Sequence, residues 1–245
     1  MKAACRISAE ALRLGGAAVR PGVTTAQIDK VIHDYIVSQG ARPNFQGLNG
    51  FPGSACISVN DVVIHGIPSH GKVLHEGDIV SIDTGALFGG WNGDNAATFA
   101  VGHVSDRAAA LMRVTKESLY KGIAAARCGA RVGDISAAVQ RHVEAAGFSV
   151  VRTYVGHGVG RALHEDPEVP NFGDAGRGPR LVNGMVIAIE PMVNEKGHVV
   201  TDGSGGKWNI RTADGGLSAH FEHTIAITNA GPVILTQGKE AQQLV

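Results

Sequence analysis

Residues 6–40 read RISAEALRLGGAAVRPGVTTAQIDKVIHDYIVSQG, and residues 113–147 read RVTKESLYKGIAAARCGARVGDISAAVQRHVEAAG. Aligned without a gap at an offset of 107 residues, they agree at ten positions. These are Arg6/Arg113, Glu10/Glu117, Leu12/Leu119, Gly15/Gly122, Ala17/Ala124, Ala18/Ala125, Arg20/Arg127, Gly22/Gly129, Ile28/Ile135 and Gly40/Gly147. Chance would give roughly two or three matches at these residue frequencies. The register of the glycines favours duplication over two helix pairs that merely share composition. Each copy reads as helix, turn, helix. In the first, Leu12 lies on an apolar helix that Arg20-Pro21-Gly22 ends, because proline cannot continue the backbone ladder. Thr24 with Gln27 resembles a capping box, and Ile28, Val31, Ile32, Tyr35 and Ile36 follow at helical spacing up to a glycine stop at Gly40. The second copy repeats the stripe at Ile135, Val139 and Val143 and the stop at Gly147.

Short β-type runs follow each helix pair. After the first come Ala55–Val59, Val62–Ile64, Asp78–Gly85 and Ala96–Val101; after the second, Val150–Val155, Met185–Ile189 and Phe221–Ile227. Two copies of a helix-pair-plus-strands unit, spanning about 6–101 and 113–227, predict an α+β architecture with a pseudo-two-fold axis and a cleft between the halves. No linker, charge run or low-complexity segment interrupts the chain, which predicts a single domain over 1–245.

Composition narrows the function classes. A chain of 245 residues buries enough surface to fold without disulfide or metal staples. Its 22 basic and 22 acidic residues leave no net charge to draw it to nucleic acid or an anionic membrane. Cys5, Cys56 and Cys128 form neither a disulfide framework nor a metal knuckle and suit a reducing compartment. The N-terminal segment is broken by Arg6, Glu10 and Arg13, and no apolar run is long enough to span a membrane, so a soluble cytoplasmic protein is expected. Eleven histidines supply acid–base and ligand groups.

The chemical signal is acidic residues in apolar strands, where carboxylates are disfavoured unless paired or bound to metal. Asp83 lies inside DIVSIDTGAL, Asp94 opens NAATFAV, Glu190 ends MVIAIE, and Glu222 precedes TIAIT by one residue. A hairpin turning at Gly89-Gly90 would pair Asp83 with Ala96 and Asp94 with Gly85, which places the two aspartates on one face, a diagonal step apart. Carboxylates that close either share a proton or hold a cation. His157 in GHGVG adds an imidazole, with glycines that let the chain bend around a site, and His65 and His164 stand in IHGIP and LHEDP. Two divalent cations would balance four ionised carboxylates, with His157 a neutral fifth ligand. Oxygen plus imidazole donors suit Mn, Fe, Co or Zn, and two such ions roughly 3.5–4 Å apart can activate a shared water.

The stretches SVNDVVIHGIP, GDIVSIDTGALFGGWNGDNAATFAVG, GHGVGRALHEDPEVPNFG, GMVIAIEPMV and SAHFEHTIAIT resemble the type I methionine aminopeptidases, and together with the duplicated helix pairs the resemblance covers nearly the whole chain. The resemblance implies the pita-bread (creatinase/aminopeptidase) fold, with the duplicated units around a central antiparallel sheet. It implies removal of N-terminal methionine from nascent proteins and peptides when the next residue is small, by attack of a metal-bridging water or hydroxide. Two divalent ions (Co, Mn, Fe, Zn or Ni) would be held by Asp83, Asp94, His157, Glu190 and Glu222, with Asp94 and Glu222 bridging and Glu190 doubling as proton shuttle. His164 would hold the substrate carbonyl or stabilise the tetrahedral intermediate. His65 would hydrogen-bond the scissile amide nitrogen. The methionine pocket, carried over by position, would be Phe45, Leu48, Phe51, Cys56, Leu163 and Trp208, a wall suited to a flexible thioether.

The chain departs from that pattern at Leu48 and Leu163, where aromatics are common, at Asn92 in place of a frequent histidine, and at His220 in place of a common glutamine. His220 shares strand parity with Glu222 and is either a neighbour of the metal ligands or an exposed strand histidine. The expected partners are nascent N-termini, met by a monomer with at most a transient ribosome contact; no nucleic-acid or membrane site is read. A proline-specific sister enzyme and a metal-free binding relative are the rivals. The first usually carries a further N-terminal domain, and the filled ligand set argues against the second.

Overall fold

The computed structural model describes residues 1–203 and 206–238. The parts of the expected 1–245 domain at 204–205 and 239–245 lie outside the described residues. The first half contains α1 (Lys2–Ala17), α2 (Thr25–Ser38), β1 (Arg42–Pro43), β2 (Ala55–Val59), β3 (Val62–Ile64), β4 (Ile79–Phe88) and β5 (Trp91–Ala100). The second opens with α3 (Asp106–Ala125) and α4 (Val132–Ala145), then β6 (Ser149–Val150), β7 (Gly156–Gly158), β8 (Glu165–Val169), β9 (Val186–Ile189) and β10 (Met192–Asn194). It closes with β11 (Val200–Gly203), β12 (Gly206–Thr212), β13 (Ser218–His220), β14 (His223–Thr228) and β15 (Gly231–Ile234).

The duplication is visible in the hydrogen bonds. Thr24 caps α2 with its side chain, and the Gln27 side chain accepts the Thr24 N–H at 2.8 Å. At the equivalent turn of α4 the Asp134 carboxylate accepts the Arg131 N–H at 2.8 Å. Gly22 donates to Leu74 C=O and Gly129 to Leu181 C=O, both at 2.8 Å, and isolated bridges join Thr24 to Val73 and Arg131 to Arg180. Every one of these pairs is related by the same offset. Ile28, Ile32 and Ile36 are fully buried, as are their counterparts Ile135, Val139 and Val143, whereas Val31 of the expected stripe faces solvent. A Cβ on Gly15 would lie 2.7 Å from Ile32 Cδ1, and one on Gly122 2.9 Å from Val139 Cγ2. The repeated glycine thus lets each second helix press its apolar ridge onto the first.

The strands form four antiparallel sheets: β1-β4-β2 with β5 on β4, then β13-β10-β6, β11-β12-β3 and β15-β14-β9-β7-β8. The β4–β5 hairpin turns at Gly89 and Gly90, both with positive φ, and its register pairs Asp83 with Ala96 and Gly85 with Asp94, as expected. On its other edge β5 reaches the second half: Glu222 N–H donates to Ala96 C=O at 2.9 Å, and Thr224 Oγ1 donates to Asp94 C=O at 2.7 Å. The offset persists into the sheets, since β9 (Val186–Ile189) begins and ends 107 residues after Ile79 and Ile82 of β4. The expected run Val150–Val155 is strand only at Ser149–Val150. Its partner β10 starts at Met192, after Pro191, which has no N–H to extend the ladder.

Each helix pair covers its own half. Ile7, Leu12, Ile28 and Ile32 pack with Ile57, Val80 and Ile82, while Leu119, Ile123 and Ile135 pack with Ile187, Ile189 and Ile225. Truncating one of these side chains leaves a cavity that rigid neighbours cannot close. Ile32→Ala is expected to cost about 2–5 kcal/mol in denaturant unfolding, whereas Val31→Ala on the exposed side should change stability little.

Candidate active site

The two halves present their carboxylates to one another. Asp83 comes from the middle of β4 and Asp94 from β5, on one face of the hairpin; His157 comes from β7, Glu190 follows β9 directly, and Glu222 lies between β13 and β14. Asp83 and Glu190 are themselves separated by the repeat offset, so they are the same position of the two copies. His157 Nε2 lies 3.5 Å from Glu190 Oε1 and 3.9 Å from Asp94 Oδ2. One ligand atom each from Asp94, His157 and Glu222 falls within 4.8 Å of the others. Asp94 and Glu222 are 3% and 2% exposed.

Asp83 Oδ1, Asp94 Oδ1 and Glu222 Oε1 are buried with no hydrogen-bond partner among the described residues. Three such oxygens in one place are costly, because each has lost water and gained nothing. Divalent cations would satisfy all three at once. His157 fits the same role: its Nδ1–H donates to Gly158 C=O at 2.8 Å, which fixes the tautomer and leaves Nε2 as the free lone pair facing the carboxylates. The glycines beside it do not bend the chain as expected. Gly156 and Gly158 are extended residues of β7, and a Cβ there would lie 2.4 Å from Ala188 O and 2.3 Å from Asp166 O, so they serve close strand packing.

Burial and mutual repulsion raise the proton affinity of the whole cluster. Burial, with the Glu190 charge adding, pushes Asp83 up to about 7 against a partial offset from His220. Burial likewise takes Glu190 to about 7, opposed by His157. Asp94 and Glu222 are driven well above the ordinary carboxylate range, first by burial and then by neighbouring carboxylates. The imidazoles move the other way: burial lowers His65, His157, His164 and His220 and favours their neutral forms.

A cavity of about 160 Å³ opens on the cluster, lined by all five of these residues together with His65, His164, Phe45, Leu48, Phe51, Cys56, Trp208 and His220. Leu163 backs the wall, in one apolar cluster with Phe45, Phe51 and Cys56. The Phe51 and Trp208 rings meet edge-on at 5.1 Å. Cys56 is opposite Asp83 in the β2–β4 ladder, and burial with the nearby aspartates raises its thiol well above its usual range, so it is a neutral pocket surface. The His164 ring lies 4.3 Å from that of His157. His65 has a left-handed backbone (φ 57), and its ring is flanked by Tyr154 at 5.6 Å and Trp208 at 5.8 Å.

Several contributors were not legible in the sequence. Asn209, also left-handed, brackets His65: its N–H donates to His65 C=O at 2.9 Å, and its side-chain oxygen accepts the Ile67 N–H at 3.0 Å. Only asparagine's tolerance of left-handed backbone hinted at it. Tyr154 and Asn49 also reach the site with no motif to mark them. Asn92 is buried and donates to Gly160 and Arg161 carbonyls, tying the hairpin to the segment before His164. His220, left open between two roles, is 1% exposed and faces the cavity.

Because Asp83 and Glu190 bind protons more tightly folded than unfolded, metal-free protein gains stability from protonation below about pH 4 and loses it as pH rises through about 7. Thermal unfolding of the chelated protein should therefore show this contribution falling from pH 5 to pH 8. Added divalent cation should remove the loss, and unchanged pH dependence with and without cation would contradict the cluster's charge state.

Residues 1–229 match the family model described as metallopeptidase family M24. The chain is 52% identical to the methionine aminopeptidase of Clostridium acetobutylicum, over 96% of this chain and 94% of that protein. It is also 52% identical to methionine aminopeptidase 1 of Bacillus subtilis, over 89% and 88%. The crystal structure of methionine aminopeptidase from Thermotoga maritima superposes with a TM-score of 0.95 at 46% identity, covering 97% of this chain and 95% of that one. A prolidase from Pyrococcus horikoshii, 23% identical with a TM-score of 0.74 over 97% of this chain and 61% of its own, shares the fold. Its matched family model, high-identity relatives and shared pita-bread architecture together show that the chain belongs to metallopeptidase family M24, in the methionine aminopeptidase branch.

Proposed function

We propose that this protein removes methionine from the N-terminus of proteins and peptides when the next residue is small. The observation that carries this reading is the convergence of four carboxylates, Asp94 and Glu222 buried and Asp83 and Glu190 partly buried, and His157 on one cavity that also has an apolar wall. Asp83, Asp94, His157, Glu190 and Glu222 would hold two divalent ions, which when bound supply Lewis-acid polarisation and an activated water. Both halves contribute ligands, so residues 1–245 act as one catalytic unit.

The remaining steps belong to the chain's own side chains. The pocket of Phe45, Leu48, Phe51, Cys56 and Trp208, backed by Leu163, takes the methionine side chain by dispersion and sulfur–aromatic contact. Its small volume admits one side chain, which confines cleavage to the first peptide bond. His65 and His164 act in their neutral forms, His65 hydrogen-bonding the scissile amide nitrogen and His164 donating to the carbonyl oxygen, where charge grows in the transition state. Glu190 accepts a proton from the attacking water and returns it to the leaving amine. The products are free methionine and the shortened chain. Nascent polypeptide N-termini are the natural substrate, met by a monomeric enzyme in the cytoplasm with at most a transient ribosome contact. No helix among the described residues is long and apolar enough to cross a membrane.

Chelator-stripped protein should lose Met-Ala-Ser cleavage and regain it with Mn, Fe or Co, while Xaa-Pro peptides stay uncut in every state. Free-methionine release is the assay, and turnover of the Xaa-Pro set instead would sink the substrate assignment. Asp94→Ala and Glu190→Ala should each lower turnover by several orders of magnitude, and His164→Ala by about 10²–10³-fold in kcat, the usual loss for one transition-state donor.

A further inference from the structure

We propose that His220 is a positioning residue of the metal centre, whose Nε2 holds the outer oxygen of Glu190, Oε2, and so leaves Oε1 to face His157 and a bound cation. The assignment rests on the reading that Glu190 is a metal ligand. His220 ends β13 with a side chain 2% exposed, and Nε2 is buried with no hydrogen-bond partner among the described residues. Glu190 Oε2 lies 3.6 Å from it, and Glu190 Oε1 lies 3.5 Å from His157 Nε2. The Glu190 carboxylate thus spans two imidazoles, one on each oxygen.

The backbone under His220 is fixed from both directions. Thr98 Oγ1 accepts the His220 N–H and donates to the His220 C=O, each at 2.9 Å, and Ser81 Oγ meets Thr98 Oγ1 at 2.8 Å. The imidazole is therefore carried by the β4–β5 hairpin that bears Asp83 and Asp94, although it belongs to the other half. A carboxylate that ligates through one oxygen leaves the second to be oriented by a donor, and such outer partners hold the ligand in place and tune its basicity. An Nε2–H on His220 meets that need after a shift of a few tenths of an ångström.

The test titrates metal-free protein with Co(II), read by visible absorption and calorimetry without substrate, for wild type, His220→Gln and His220→Leu. Glutamine keeps a side-chain N–H donor without an imidazole lone pair; leucine removes both. The expected result is a loss of about ten- to hundred-fold in cobalt affinity for His220→Leu and recovery to within about threefold of wild type for His220→Gln, with the cobalt spectrum retained. If the leucine variant does not fold, as judged by thermal unfolding of the metal-free form, His220→Met takes its place. Equal losses in the glutamine and leucine variants with a changed cobalt band would make His220 a ligand and overturn the proposal, as would wild-type affinity in the leucine variant. Cobalt binding in the expected order without Met-Ala-Ser cleavage would support this assignment and overturn the peptidase reading alone. Wild-type protein that binds no cobalt overturns both.

Discussion

Four carboxylates crowded into one cleft set the terms for everything else in this molecule. Asp83, Asp94, Glu190 and Glu222 cannot all be ionised there without a compensating charge, and three of their oxygens have no partner among the described residues. A fold optimised only for stability would replace them with apolar side chains, since an unpaired buried charge costs more than it returns. Their persistence in apolar strands is a local conflict of the kind that functional sites carry.

Duplication explains how a chain places such a cluster reliably. Asp83 and Glu190 occupy the same position of the two copies, each at the end of an apolar four-residue strand segment covered by its own helix pair. When the halves meet along β5, equivalent positions face one another across the pseudo-two-fold axis. The symmetry is not carried through the side chains of the site. The position equivalent to His157 in the first half is Gly50, and the position equivalent to His65 in the second is Phe172. The first half lines the cavity with Phe45, Leu48, Phe51 and Cys56 and the second with His157, Glu190 and Glu222, so the cavity forms only where the halves meet.

The same desolvation has opposite consequences for the two kinds of titratable group. It raises the carboxylates of Asp83 and Glu190 to about 7, and it lowers the imidazoles of His65 and His164, which favours their neutral forms. Geometry then separates roles that chemistry leaves alike. His157 has Nδ1 occupied by a carbonyl and offers Nε2 to the cluster, whereas His65 is held in a left-handed backbone by Asn209 and framed by Tyr154 and Trp208.

The helix pairs, the Thr24–Gln27 cap, the hairpin register and the acidic residues that break strand patterning are all determined by the sequence alone, because each depends on spacing within a few residues or on a repeated register. Residue pairing across Gly89-Gly90 is enough to put Asp83 and Asp94 on one face. The end of the 150–155 run and the close packing that selects Gly156 and Gly158 required the neighbouring strands. So did the burial of His220, the bracket that Asn209 puts around His65, and the approach of β5 to β14 that closes the cleft. Those features are contacts between segments far apart in the chain, and their energies depend on which atoms meet in space, a quantity that one strand's pattern of residues does not contain.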